Sequence, residues 1–190
     1  FLKINNEKMS KSLGNFFTVR DITKKYNGQV LRYFMLSAQY RTPLNFSADL
    51  IQSSANGLDR ILNGAEKLRD TMEKGSKAPI TAEEQAMLDK EVAGFVKQFD
   101  EAMDDDLNTA DAISAIFELI KFSNSNVNEN STAAFAEGIN KELKVLSEDV
   151  LGIKLERKAQ VLDSDIEALI AERTQARKDK NFARADEIRD

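Results

Sequence analysis

Five consecutive residues carry the clearest chemistry in this sequence: Lys8, Met9, Ser10, Lys11 and Ser12. They sit in a polar stretch from Asn5 to Asn15, after the strand-like run Phe1-Leu2-Lys3-Ile4, and Gly14-Asn15 closes the stretch with a strong turn signal. Two ammonium groups and two hydroxyls on a flexible loop suit a polyphosphate. The lysines neutralise phosphate charge, and the hydroxyls and loop amides donate to phosphate oxygens. Gly14 leaves the backbone free of side-chain bulk at the turn. A solvated Lys/Ser surface loop has the same composition, and the residues alone leave that reading open. The loop lacks the glycine-rich form of a P-loop, which argues against a kinase- or GTPase-type site.

The absences narrow the chemistry further. The 190 residues include no Cys and no His. Thiol chemistry, disulfides, a His general base and a zinc site of the usual ligand types are therefore excluded within this chain. Asp104-Asp105-Asp106 could suit magnesium, but three carboxylates just before a helix are also favoured by its dipole, and no further ligand lies nearby in sequence. No metal site is expected.

Net charge is −5, but it is unevenly spread. Residues 1–45 hold 8 Lys/Arg against 2 Asp/Glu, residues 46–156 hold 11 against 22, and residues 157–190 hold 8 against 8. A basic end that meets an anion, with an acidic scaffold behind it, accounts for this pattern. No apolar run is long enough to span a bilayer, and no segment has the make-up of a signal peptide, so a cytoplasmic protein without membrane contact is expected. The chain begins inside a strand-like run and stops inside a helical pattern, as expected of a piece of something longer.

The elements that must position the loop are mainly helical. Phe16-Phe17 is expected to supply a second short strand. Thr18 with Asp21 starts a short helix that ends near Asn27-Gly28, and a second helix presents Leu31, Phe34, Met35 and Ala38 before Thr42-Pro43 stops it. Ser47 caps a long helix with the stripe Ile51, Leu58, Ile61, Leu62, Ala65, Leu68 and Met72. Thr81 and Glu84 form a capping box for a helix carrying Met87, Leu88, Val92, Phe95, Val96, Phe99 and Met103. After a turn at 104–109 a helix presents Ile113, Ile116, Phe117 and Ile120. The stretch 123–131, rich in Asn and Ser, reads as a loop or a frayed helix end. A further helix carries Phe135, Ile139, Leu143, Leu146 and Val150 up to Gly152. Residues 153–163 read as a linker, and a last helical segment breaks near Lys180-Asn181. The fold class is mainly α. A small N-terminal β element holds the loop, an antiparallel bundle buries the stripes, and a helical segment follows. Three regions result: 1–46, 47–153 and 154–190.

The pentapeptide is identical to the KMSKS signature of class I aminoacyl-tRNA synthetases. Lys8 to Ile22 (KMSKSLGNFFTVRDI) and Val30 to Ser47 (VLRYFMLSAQYRTPLNFS) resemble the matching stretch of cysteinyl-tRNA synthetases. Met103 to Ile113 (MDDDLNTADAI) resembles the start of that family's DALR-type helical domain, and Ile166 to Arg189 resembles its C-terminal anticodon-binding part. Two departures stand out: Gln39 where the family often has His, and Leu107-Asn108-Thr109-Ala110 where it often has Phe-Asn-Thr-Pro.

The resemblance implies a C-terminal part of a cysteine–tRNA ligase. Such an enzyme activates cysteine with ATP and Mg2+ and transfers it to cysteine-specific tRNA. Its HIGH motif and the zinc ligands that bind the thiol precede the KMSKS loop, so zinc would be held outside this chain, and the segment alone is expected to be inactive. Lys8 and Lys11 would be catalytic, and Lys8, Met9, Ser10, Lys11 and Ser12 would bind ATP, with Met9 as an apolar anchor. Arg20, Lys24, Lys25, Arg32 and Arg41 would meet tRNA phosphates. Tyr26, Tyr40 and Phe46 could stack on bases or pack in the core, and Arg173, Arg177, Lys178, Lys180 and Arg184 would face tRNA near the anticodon. Two alternatives remain. A paralogous cysteine ligase acting on a small amine would have no use for the anticodon-like tail, and a non-catalytic RNA-binding helical bundle would have none for the loop.

Overall fold

The computed structural model describes residues 2–4, 6–16, 18–157, 172–175, 177 and 184. The chain divides into two compact units, Phe1–Glu156 and Arg157–Asp190. In the first unit, the strand β1 (Leu2–Ile4) turns back into the two-residue strand β2 (Glu7–Lys8) with Lys3 opposite Lys8 and Ile4 opposite Glu7. Asn6 takes the left-handed conformation at φ 68°, which asparagine tolerates better than most residues. The strand β3 (Leu44–Phe46) joins the other side of β1 in parallel, giving the order β2-β1-β3. Asn45 Oδ1 accepts from the Asn6 amide at 2.8 Å and ties the hairpin turn to that strand.

The second and third strands are therefore not where Phe16-Phe17 was expected to supply one. Phe16 lies outside any strand, and Phe17 is outside the described residues. Both true partners are two or three residues long, too short to show an alternating pattern, and β3 is chosen by a contact across some forty residues.

Helix starts follow their caps closely. Thr18 and Asp21 exchange bonds at the start of α1 (Val19–Thr23): Asp21 N donates to Thr18 Oγ1 at 3.2 Å, and Thr18 N donates to Asp21 Oδ2 at 3.1 Å. Asn27 caps α2 (Gly28–Leu36), and Ser47 caps α3 (Ala48–Lys74). Thr81 and Glu84 form the expected box on α4 (Ala82–Met87). A wide helical turn over Leu88–Val92 joins α4 to α5 (Ala93–Asp104), so the single expected helix is two. Only Val92 and Phe99 of its stripe are fully buried; Met87, Leu88, Phe95, Val96 and Met103 pack against the core from its edge. A wide turn breaks the 3.6-residue period from which a continuous stripe is read.

Four residues then connect α5 to α6 (Thr109–Asn126), which Asn108 caps, so the two helices run antiparallel. Helix α6 continues four residues into the stretch read as a loop or frayed end. Thr132 caps α7 (Ala133–Lys144), which opens into a second wide turn at Val145–Val150. Helices α3, α5, α6 and α7 bury their stripes together around Ile61, Leu68, Phe99, Ile116, Phe135 and Ile139.

Two features of the bundle were not expected. Glu84 serves two helix starts at once. Its carboxylate closes the box with Thr81, and it also accepts from Thr132 N at 2.9 Å and Thr132 Oγ1 at 2.8 Å, at the cap of α7. Burial pushes this carboxyl up, but the bonds from Thr132 and Thr81 outweigh it and leave the group below its ordinary value. The start of the supposed linker is core: Ile153 and Leu155, with Leu151 before them, are buried. Three alternate apolar residues in an irregular segment give a weak signal, because no helical period supports them.

In the second unit, Glu172–Gln175, Arg177 and Arg184 are helical. Arg184 meets Glu172 Oε1 at 2.9 Å. The expected break at Lys180-Asn181 lies between them in sequence but outside the described residues.

Candidate functional site

The loop is built so that one side faces solvent and the other is pinned. β2 delivers Lys8, and Lys11–Leu13 form one tight helical turn. Gly14, at φ 68°, ends that turn by donating its amide to Lys11 O at 3.2 Å, a conformation that glycine adopts at little cost. The Asn15 side chain closes the loop. Its Oδ1 accepts from Ser10 N at 2.8 Å, and its Nδ2 donates to Lys8 O at 3.1 Å. Asn15 was read from sequence only as part of a turn signal. Its role as a clasp depends on loop geometry that no local pattern encodes.

Lys8, Lys11 and Ser12 are exposed, and Ser10 is half-buried. The hydroxyls of Ser10 and Ser12 hydrogen-bond to each other at 2.6 Å. The Lys11 ammonium lies 5.2 Å from the centroid of the Phe16 ring, a weak cationic contact that a phosphate would replace readily. Among the described residues neither Lys8 nor Lys11 has a carboxylate partner.

Met9 points the other way. It lines a cavity of about 210 Å³ whose other walls are Ile4, Val19, Ile22, Leu31, Phe34, Met35 and Phe46. The Phe34 and Phe46 rings meet edge to face with centroids 5.6 Å apart. Phe46 is thus a packing residue at one wall of this cavity, and the loop rests on α1, α2 and the sheet through one thioether.

The basic residues read as phosphate contacts do not form one surface. Arg20, Lys24 and Lys25 are exposed and close in sequence along α1 and the turn after it, with Lys24 3.5 Å from Asp21. Asp21 is itself held below the usual carboxylate range by its bonds with Thr18. Arg32 is exposed, and its Nη1 donates to Leu151 O at 3.2 Å.

Arg41 pairs with Asp106 at 3.2 Å, and Tyr40 donates to the same carboxylate at 2.9 Å. Arg41 Nε in turn donates to the Tyr40 oxygen at 3.0 Å. The bond to Asp106 holds the Tyr40 phenol above its ordinary value. Tyr26 is half-buried and Tyr40 is exposed.

The acidic run precedes α6, as expected, but it also closes α5, and Asn108 rather than an aspartate caps α6. Asp104 ends α5 and Asp105 caps its C-terminus, where the dipole disfavours carboxylates. Asp106 and Leu107 both take left-handed backbone, at φ 54° and 55°. Asp106 is balanced by Arg41, and Thr109 Oγ1 donates to Leu36 O at 2.7 Å, so this turn is fastened to the end of α2 and the segment after it. Among the described residues no group of three or more acidic side chains could hold a metal ion. Of the tail residues, Arg184 pairs with Glu172, Arg173 and Arg177 are described, and Lys178 and Lys180 lie outside the described residues.

Comparison with known proteins places this geometry. Residues 1–56 match the family model for the class I (C) tRNA synthetase catalytic domain, and residues 98–156 match the DALR domain. All 190 residues align at 55% identity with a cysteine–tRNA ligase of Lachnospira eligens, covering 40% of that protein's length. The chain belongs to the cysteine–tRNA ligase family. The ligases of Lachnoclostridium phytofermentans and Clostridioides difficile match at 48% and 51% identity, again over the whole chain and about 40% of their own length. The chain thus spans about two fifths of the relatives it matches. The first family match takes in the loop, α1, α2, β3 and the start of α3; the second ends where the first compact unit ends, at Glu156. No helix among the described residues is long and apolar enough to cross a membrane.

Proposed function

We propose that this chain supplies the ATP-phosphate loop and part of the tRNA-binding helices of a cysteine–tRNA ligase. The observation that carries the reading is the two-faced loop: Lys8, Lys11 and Ser12 in solvent, and Met9 seated in an apolar cavity. The reaction it serves is the attack of the cysteine carboxylate on the α-phosphate of ATP. A carboxylate oxygen bonds to phosphorus, the bond to the bridging oxygen breaks, and pyrophosphate leaves. The tRNA 3′ end then takes the aminoacyl group from the adenylate.

Negative charge builds on the phosphate oxygens in the first step. Lys11 is the main stabilising charge there and Lys8 assists, with the loop closing over the reacting groups. The Ser10 and Ser12 hydroxyls, now bonded to each other, can donate to pyrophosphate oxygens. Mg2+ arrives with ATP as its phosphate complex. The chain has neither Cys nor His, so it offers no sulfur or imidazole ligand for a thiol-binding zinc, and no step here depends on one. Arg20, Lys24 and Lys25, exposed and close together along α1 and the turn after it, are the favoured tRNA-phosphate contacts, while Arg41 is clamped by Asp106 and Arg32 is bonded to Leu151 O. The regions 1–46, 47–153 and 154–190 divide the work into phosphate loop, helical bundle and anticodon-side segment.

The test is Lys11→Ala in the complete ligase. Adenylate formation at saturating ATP is expected to slow by ~10²–10³, the usual cost of losing one donor to a developing oxyanion, with cysteine binding little changed. A rate within about twofold of wild type would be too small a loss for a transition-state contact and would reject the phosphate loop. The isolated chain is expected to show no cysteine-dependent pyrophosphate exchange, which the same assay reads.

A further inference from the structure

Helix α2 has two working sides. Leu31, Phe34 and Met35 form one wall of the cavity that receives Met9. On another side, Gln29 and Arg32 grip the irregular segment 151–155, more than a hundred residues away. Arg32 Nη1 donates to Leu151 O at 3.2 Å, and Gln29 Oε1 accepts from Lys154 N at 2.8 Å. The segment is fixed from beneath as well. Arg69 of α3 donates to Leu155 O at 3.3 Å, Glu148 accepts from Leu155 N at 2.9 Å, and Leu151, Ile153 and Leu155 are buried. Gly152 stands at φ 66°, and a Cβ there would lie 2.9 Å from Arg32 Nη1, so the grip leaves no room for a side chain.

This arrangement decides what sets the position of α2. Its loop-facing side borders the cavity and packs through Phe34 against Phe46. Tyr33 is buried and meets α3 at Gly57, which seats the helix. The two hydrogen bonds to the strap, together with the Thr109 bond to Leu36 O at its far end, then fix how it is turned about that seat. Irregular backbone in a buried place must find partners, so the strap is as constrained by α2 as α2 is by the strap.

We propose that Gln29 and Arg32 are positioning residues for the phosphate loop, acting through α2 and Met9 with the 151–155 strap as their anchor. This rests on the reading of Lys8 to Ser12 as the phosphate loop. It also gives Arg32 a task other than contact with tRNA.

Cysteine-dependent ATP–pyrophosphate exchange by the complete ligase without tRNA tests the proposal. Gln29→Ala and Arg32→Ala are each expected to lower the exchange kcat about tenfold, since small misplacements of reacting groups carry losses of that order, with the KM for cysteine unchanged. Arg32→Lys, which keeps one donor, should recover part of the loss. Gly152→Ala should push the Arg32 guanidinium off Leu151 O and lower the exchange kcat in the same direction, with a further loss of stability because φ 66° strains a residue that has a Cβ. In a Met9→Ala background, Gln29→Ala should have little further effect.

Unchanged exchange with a raised KM for tRNA in aminoacylation would make Arg32 a phosphate contact and overturn the proposal. Additive losses that track a lowered Tm and ignore Met9 would make the strap merely structural and overturn it equally. Gln29→Ala alters a single exposed-side bond, so it keeps the test informative if an Arg32 variant folds poorly. Failure of the loop reading itself is separate: it would appear as normal exchange in Lys11→Ala.

Discussion

Asn15→Ala should slow cysteine activation although Asn15 carries no charge to offer a phosphate. The side chain makes two bonds, to Ser10 N at 2.8 Å and to Lys8 O at 3.1 Å, and together they hold the backbone ends of the segment that bears both serines and Lys11. Each such bond contributes roughly 0.5–1.5 kcal/mol net, and both lie near the surface, where water replaces part of the loss. A combined cost of about 1–2 kcal/mol for ordering the loop follows, which is roughly a 5- to 30-fold fall in kcat/KM for ATP at tenfold per 1.4 kcal/mol.

Asn15→Asp separates two contributions. It keeps the acceptor for Ser10 N, loses the donor to Lys8 O, and adds a negative charge beside the phosphates, so it should be worse than Asn15→Ala. The assay is pyrophosphate exchange by the complete ligase as a function of ATP, with cysteine saturating. An Asn15→Ala enzyme with kcat/KM within about twofold of wild type would refute the clasp, since that change corresponds to only about 0.4 kcal/mol. An Asn15→Asp enzyme faster than Asn15→Ala would refute the placement of phosphates near the loop.

Three further outcomes are expected. Glu84→Ala should lower stability by roughly 2–4 kcal/mol in chemical denaturation, because it removes the carboxylate half of the α4 capping box and leaves Thr132 N buried without its acceptor. Glu84 is held below its ordinary value, so its contribution is present above the unfolded carboxyl value and is lost as pH falls through the folded one; Glu84→Gln should flatten the acid limb of a Tm–pH profile. Leu107→Asn should raise stability by roughly 0.5 kcal/mol, read as a shift in denaturation midpoint, because asparagine accepts φ 55° more cheaply than leucine and the site is 58% exposed. Replacing Arg20, Lys24 and Lys25 together by Ala should weaken tRNA binding and reduce the slope of log K against log salt by roughly 2, and an unchanged slope would remove these residues from the interface.

Much of this protein was legible because its signals are local. A cap needs only the hydroxyl or amide of one residue and an amide three residues on, which is why Thr18, Ser47 and Thr81 marked helix starts correctly. The stripe of α3 was legible for a similar reason, since 27 residues repeat one period many times over. The family was legible through an unbroken motif and several ordered segments that a short helix or strand cannot supply. The strands were not legible, because two or three residues carry no period, and the α4–α5 helix was misread because a wide turn interrupts its period without any Gly or Pro to announce it.

What the sequence by itself determined is the chemistry available near residue 10, the helix ends, the apolar faces that must meet, and the family to which they belong. The tertiary structure alone decided which polar side chains are used inside the fold. Glu84 reaches Thr132, Arg41 reaches Asp106 and Arg32 reaches Leu151 across 48, 65 and 119 residues. A charged side chain reads the same in sequence whether it ends in water, on a ligand or on a distant carbonyl. Only packing brings a partner so distant in sequence within hydrogen-bond reach.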